Sequence, residues 1–116
     1  MWTYFEKETE MPLVTFLHRK ESAPGTWVEL VDFKESQNIP FRSSRFTVEP
    51  GRVSKLDSHA VRECWFVARG GGLLSYDGKS SQIGEGDMLL FEPHKSHQVT
   101  NNRKDDLVIF SIWWDL

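Results

Sequence analysis

Two short segments of this chain carry the side chains best suited to binding a metal ion. Asp57, His59 and Glu63 lie in the first segment, and His97 lies in the second. Alternate residues of an extended chain share a face, so one strand-like stretch can present the first three together. Two imidazoles and two carboxylates are ligands that suit a divalent metal of intermediate hardness. The spacing therefore predicts a metal site built from two separate segments.

The elements that must position these side chains are predicted to be β-strands. Short runs rich in β-branched and aromatic residues alternate with turn signals, at residues 13–17, 27–33, 45–48, 64–68, 73–76, 88–91, 97–99 and 107–114. Asp77-Gly78 is a strong signal for a tight hairpin. No window of about 12 residues keeps a helical period without Gly or Pro, and only residues 33–38 suit a helical turn. Roughly eight to ten strands predict an antiparallel sandwich or barrel, in an all-β domain.

Composition limits the class of protein. The chain has 116 residues, of which 39% are hydrophobic and 13% aromatic, enough for a single domain spanning 1–116 with one core. No stretch approaches the roughly 20 apolar residues of a membrane span. The net charge of −3, with no basic block, argues against nucleic acid as a partner.

The single cysteine and the N-terminal residues indicate the cellular compartment in which the protein is expected. Cys64 has no second cysteine to pair with, which excludes an internal disulfide and a four-thiolate zinc site. Its position in a strand predicts a buried, inert thiol. Residues 1–10 are polar and lack the apolar region of a secretory signal, so a cytoplasmic location is expected.

The two metal-binding segments also contain glycines, a proline and an asparagine at fixed offsets. Together they resemble the paired motifs of the cupin superfamily, through Gly51, His59, Glu63 and Gly70 in the first motif and Gly86, Asp87, Pro93, His97 and Asn101 in the second. The resemblance covers about residues 44–114. It implies a small single-domain cupin, in which a jelly-roll barrel holds a metal inside its mouth. The glycines, Pro93 and Asn101 are expected to form turns.

One position departs from the family pattern. Asp57 stands where these proteins usually have the first histidine, and three interpretations remain open. Asp57 could ligate the metal directly, or lie behind a facial triad of two histidines and one carboxylate, or mark a lost metal site. The oxygen ligands favour Fe²⁺ first, with Mn²⁺, Ni²⁺ and Zn²⁺ as alternatives.

Three further residues are candidates for the wall of a substrate pocket. Trp65 lies two residues after Glu63 and shares its face, while Arg45 and Trp113 lie on other strands. Trp65 and Arg45 each have a simpler interpretation, Trp65 as barrel core and Arg45 as a surface charge. The aromatic residues expected in the strand core are Phe46, Phe66, Phe91 and Phe110.

The resemblance implies a metal-dependent enzyme that acts on a small polar molecule. An oxygenase is the first hypothesis, with Glu63 at the metal and Asp57 as metal ligand or base. An isomerase, epimerase, decarboxylase or lyase is the alternative, and a non-catalytic small-molecule binding module is the other class. Small cupins commonly pair through their sheets, so a homodimer is expected, with residues 1–20 and their aromatic side chains Trp2, Tyr4 and Phe5 at the contact.

Overall fold

The described part of the chain is all-β, as the sequence predicts. The computed structural model describes residues 11–34 and 38–115, and among these residues it contains strands and no helix. None of the described residues therefore forms a helix that could cross a membrane. The strands are β1 (Thr15–Phe16), β2 (Lys20–Ala23), β3 (Thr26–Asp32), β4 (Arg42–Val48), β5 (Arg62–Arg69), β6 (Gly71–Tyr76), β7 (Lys79–Gly84), β8 (Met88–Phe91), β9 (His97–Thr100) and β10 (Leu107–Trp114).

The strands form two antiparallel sheets. The larger sheet has the order β1-β3-β4-β10-β5-β8, with β2 paired to β3, and the smaller has the order β7-β6-β9. Two isolated bridges lie in the stretch before β5, Val53 with Thr100 and Asp57 with His97. They attach this stretch to β9 of the smaller sheet, while β5 itself belongs to the larger one. The two segments predicted to bind a metal are therefore brought together by pairing of their backbones.

The core lies between the sheets and follows the alternation of strand residues. On β5, Glu63, Trp65 and Val67 are buried, while the residues between them are partly or fully exposed. The buried hydrophobic residues are Phe46, Val48, Trp65, Val67, Leu74, Ile83, Phe91, Val99, Leu107 and Ile109. The first and third of the four predicted core phenylalanines, Phe46 and Phe91, are confirmed.

The prediction that Phe66 and Phe110 lie in the core is wrong. Phe66 is 38% exposed, and Phe110 is only partly buried. Both lie on the outer face of the sheet because their neighbours in the strand, Trp65 and Ile109, take the inner face. Cys64 shares the outer face and is half-buried rather than buried. Burial still raises the pKa of its thiol, as does the nearby charge of Glu63, so the thiol stays protonated and unreactive.

The predicted turns are present. Asp77 and Gly78 have φ values of 50° and 81°, as the tight hairpin between β6 and β7 requires. Gly70 has φ of 77°, and a Cβ at this position would lie 2.5 Å from the carbonyl oxygen of Asp106. The helical turn expected at 33–38 includes residues 35–37, and the aromatic cluster of residues 2–5 precedes residue 11, so both lie outside the described residues.

Replacing Asn101 by alanine is expected to destabilise the barrel by about 2–4 kcal/mol. Asn101 is fully buried, donates to the carbonyl oxygens of Val48 and Asp105, and accepts from the amide of Arg103. Alanine would leave these backbone groups without their partner. Urea unfolding of the variant measures the loss. The same substitution at exposed Asn102 is the control, and an equal effect at the two positions would contradict this role for Asn101.

Candidate metal centre

Three side chains converge between the two sheets. Glu63 projects inward from β5, His97 begins β9, and His59 comes from the stretch that precedes β5. The Nε2 atoms of His59 and His97 lie 3.3 and 3.1 Å from the same carboxylate oxygen, Oε1 of Glu63. One ligand atom from each of the three residues lies within 4.8 Å of the others. These are three of the four residues predicted from the sequence to form a metal site, and their spacing could hold a metal ion.

The spacing of these atoms fits a shared metal ion. Ligand atoms bonded to one ion at about 2.1 Å and at right angles lie about 3.0 Å apart. The two nitrogen-to-oxygen distances, 3.1 and 3.3 Å, are close to that separation. Two imidazoles and one carboxylate on one side of an ion leave other positions open, as in the facial triad of non-haem iron enzymes. The described residues thus suit a divalent ion of intermediate hardness.

The two oxygens of Glu63 have separate roles. Oε2 accepts hydrogen bonds from Nε1 of Trp65, at 3.0 Å, and from the hydroxyl of Ser111. Oε1 is left facing the histidines. Burial raises the pKa of Glu63, but hydrogen bonds from His97, Ser111 and Trp65 outweigh it and hold the pKa below its ordinary value. Glu63 is therefore an ionised carboxylate with one oxygen directed at the ligand cluster.

His97 is held in place by packing. Its ring is 2% exposed and stacks on Phe91, with centroids 4.3 Å apart and planes within 3°. The rings of Trp65 and His59 meet it edge to face, at 5.4 and 5.3 Å. Its Nδ1 atom is buried and has no hydrogen-bond partner among the described residues. Contacts with aromatic rings, rather than a second hydrogen bond, therefore fix the direction of Nε2.

His59 is the accessible member of the cluster. Its side chain is 37% exposed, against 2% for His97. Its carbonyl oxygen accepts a 2.7 Å hydrogen bond from the amide of His94, which anchors the loop after β8 to this stretch. The His94 side chain is exposed. The cluster is therefore closed behind by His97 and open on the side of His59.

Asp57 lies beside the cluster without belonging to it. Its backbone exchanges two hydrogen bonds with His97, at 3.1 and 2.9 Å, and this bridge aligns the two segments. Its carboxylate is 42% exposed and lies 4.0 Å from Nζ of Lys55. The three-residue cluster is complete without Asp57. Direct ligation by Asp57 stays a prediction, as does its role as a base.

A cavity of about 450 Å³ adjoins the open side of the cluster. Its size is that of a small-molecule site. Its lining comes from β2 to β5, from β10 and from the stretch before β5, through Ser22, Thr26, Val28, Ser44, Phe46, Ser54, Lys55, Asp57, His59, Val61, Glu63, Trp65 and Trp113. Trp65 and Trp113, two of the three residues proposed for a pocket wall, are thus at the cavity.

Arg45, the third proposed pocket residue, faces away from the cavity. Its guanidinium pairs with Glu29 through two hydrogen bonds of 2.9 and 3.0 Å and lies over the ring of Phe16. Its neighbours Ser44 and Phe46 are the buried residues that line the cavity. Because successive strand residues face opposite sides, Arg45 must lie on the outer surface, which agrees with its simpler interpretation as a surface charge.

Ser111 is the functional residue that sequence analysis missed. It is 1% exposed, and its hydroxyl donates to a carboxylate 48 positions away in the chain. The available signal was a polar residue on the inner face of β10, between buried Ile109 and half-buried Trp113. A buried hydroxyl at such a position needs a hydrogen-bond partner, and here the partner is Glu63.

Comparison with known protein families agrees with this arrangement. The family model of the cupin domain matches residues 44–113, more than half of the chain. The chain is a cupin. The matched range includes all three residues of the cluster and Ser111, and it ends one residue before the last strand does. The two sheets of this cupin are accordingly the two halves of a jelly-roll barrel.

Several solved structures, one of them named as a cupin, resemble this cupin over most of its length. A conserved-barrel protein from Salinispora arenicola is 26% identical, with a TM-score of 0.74 over 82% of this chain and 80% of that one. A predicted oxalate decarboxylase from Thermotoga maritima is 25% identical, with a TM-score of 0.74 over 89% and 94%. KdgF from Halomonas sp. is 17% identical, with a TM-score of 0.69 over 86% and 88%, a likeness of fold alone.

Proposed function

We propose that this cupin is a metal-dependent enzyme for a small molecule, and specifically an oxygenase that uses Fe²⁺. The observation that carries the proposal is the group of His59, Glu63 and His97, open on one side to a cavity. Two histidines and one carboxylate with free positions are typical of non-haem Fe²⁺ oxygenases. When bound, the ion would supply Lewis acidity and, as Fe²⁺, the capacity to activate O₂.

The described residues have distinct tasks in this scheme. Glu63 contributes a negative charge through Oε1, which Trp65 and Ser111 keep directed by binding Oε2. Buried His97 and the stacked Phe91 exclude water from the back of the cluster. Because His59 and Glu63 both line the cavity, a substrate enters from that side and can present adjacent oxygen or nitrogen donors to the open face.

A second candidate is a decarboxylase, lyase or isomerase that needs no oxidant. Asp57 favours it, because its partly exposed carboxylate lines the same cavity and can accept a proton from a substrate at an Oδ atom. The similarity to a predicted oxalate decarboxylase supports the same class, at 25% identity. Each function uses the same three residues at the metal.

Oxygen consumption distinguishes the candidates. We expect protein loaded with Fe²⁺ to consume O₂ with a substrate from a panel of small acids and amino acids, while metal-free protein consumes none. Turnover that continues without O₂, and with Mn²⁺ in place of Fe²⁺, would instead identify the second candidate; replacing Asp57 by asparagine should then abolish it. Tight binding of a panel member without turnover in either atmosphere would contradict both and indicate a binding module.

We also propose that two copies of this cupin pair through the outer face of β5 and β8. Phe66, Met88 and Leu90 lie there and are 38%, 62% and 55% exposed, an apolar surface suited to a self-complementary contact. Sedimentation should give the mass of a dimer for the native chain and of a monomer for Leu90→Lys. The control is Leu56→Lys, at a loop residue that is 61% exposed. A monomeric native chain would contradict the proposal.

A further inference from the structure

The cavity has two chemically different ends. The end at the cluster carries ionisable groups, from Lys55, Asp57, His59 and Glu63. The rest of the lining has four hydroxyl side chains, from Ser22, Thr26, Ser44 and Ser54, and an apolar wall formed by Val28, Phe46, Val61, Trp65 and Trp113. A wholly polar ligand would leave that wall in contact with water. A ligand with an apolar part would cover the apolar wall and remove its surface from water, which is favourable.

The apolar wall begins directly beside the ligand cluster. Trp113 on β10 is the register partner of Glu63 on β5, and side chains of such partners on one face stand about 5 Å apart at Cβ. Trp65 continues the wall, and the ring of Phe46 meets it edge to face with centroids 5.0 Å apart. A group attached directly to a chelating head would therefore touch Trp113 first.

The charges at the polar end favour a singly charged head. Among the described residues of the lining, Lys55 is the lysine or arginine, and Asp57 and Glu63 are the carboxylates. The three groups together carry one net negative charge, and a bound divalent ion would change this to one net positive charge. A monoanion neutralises this end of the cavity, whereas a dianion leaves an excess of negative charge in a partly enclosed site.

We infer that the substrate class is a monoanionic chelator, with adjacent oxygen or nitrogen donors joined to an apolar body. The inference rests on the proposed function, since the head needs the metal held by His59, Glu63 and His97. It adds a specific role for Trp113, as the side chain that contacts the apolar body. Trp113 thereby acts in substrate selection rather than in metal binding.

Two hydroxamates that share a head and differ in body test this inference. Acetohydroxamate carries a methyl group and benzohydroxamate a phenyl ring. Each is titrated into Co²⁺-loaded protein, and the visible spectrum of the ion reports binding. We expect both compounds to bind. The preference of the protein for benzohydroxamate over acetohydroxamate should exceed the preference of aqueous Co²⁺ by at least about 10-fold, since burying a ring is worth that much or more. Trp113→Ala should remove most of this preference.

Trp114 provides the matched control. It is the next residue, lies outside the cavity lining, and faces a groove with Ile39 and Pro40. Trp114→Ala should keep the full preference for benzohydroxamate. Equal affinities of the native protein for the two compounds, or an equal loss in the two variants, would overturn the substrate class while leaving the metal centre intact. Failure of the protein to bind Co²⁺ would overturn the proposed function itself.

Discussion

Replacing His97 by alanine is expected to abolish metal binding, with a fall in affinity of more than about 100-fold. Loss of a residue that only supports a ligand already costs about 10–100-fold, and His97 is one of the three candidate ligands. Its Nε2 is directed at the cluster by stacking on Phe91. Metal content after dialysis and titration with Co²⁺ measure the effect.

The burial of His97 makes a second variant necessary. A ring that is 2% exposed leaves a void when it is removed, and the void destabilises the barrel by itself. His59→Ala removes a candidate ligand that is 37% exposed, so it should lose the metal while the melting temperature of the metal-free protein hardly changes. His18→Ala, at an exposed position outside the cluster, is the control. Retention of a full equivalent of metal by either ligand variant would contradict the site.

Replacing Ser111 by alanine is expected to lower metal affinity by about 10–100-fold without removing any ligand. The Ser111 hydroxyl and Nε1 of Trp65 together occupy Oε2 of Glu63. With one donor lost, the carboxylate is less firmly oriented, and Oε1 is no longer held toward both histidines. The visible spectrum of the Co²⁺ form should also change, which a purely structural role of Ser111 would not produce.

Two further variants separate orientation of Glu63 from general stability. Ser111→Thr keeps the hydroxyl and should restore most of the affinity. Ser43→Ala removes a hydroxyl that donates to the backbone carbonyl of Ser111 at 2.8 Å, but not to Glu63, so it should leave the affinity for Co²⁺ unchanged. Equal losses of affinity in the two alanine variants would contradict the positioning role of Ser111.

The candidate cluster could be predicted from sequence because His59 and Glu63 share one segment and His97 lies in the second motif of the cupin resemblance. Asp57, His59 and Glu63 share one segment, and the turn residues around His97 mark a second segment of the same motif pair. The strands that carry Glu63 and His97 also follow from local signals, since alternation and turns are encoded by near neighbours. The backbone bridge between Asp57 and His97 then completes the arrangement.

The sequence did not predict which of two adjacent strand residues faces the interior of the barrel. Arg45 and Phe46 are adjacent on β4, so they cannot both face the interior, and the structure gives that face to Phe46. The same holds for Phe66 beside Trp65. The choice depends on which face has a sheet to pack against. The role of Ser111 depends on the register of β10 with β5, which no local signal specifies.

The most direct test of the metal centre is a crystal structure of the Co²⁺-loaded protein with anomalous data at the cobalt edge. We expect one strong peak about 2.0–2.3 Å from Nε2 of His59, Oε1 of Glu63 and Nε2 of His97. The same map would show whether Asp57 also ligates the ion. A fully Co²⁺-soaked crystal with no peak among these three atoms, or with its only peak elsewhere, would contradict the assignment of this site.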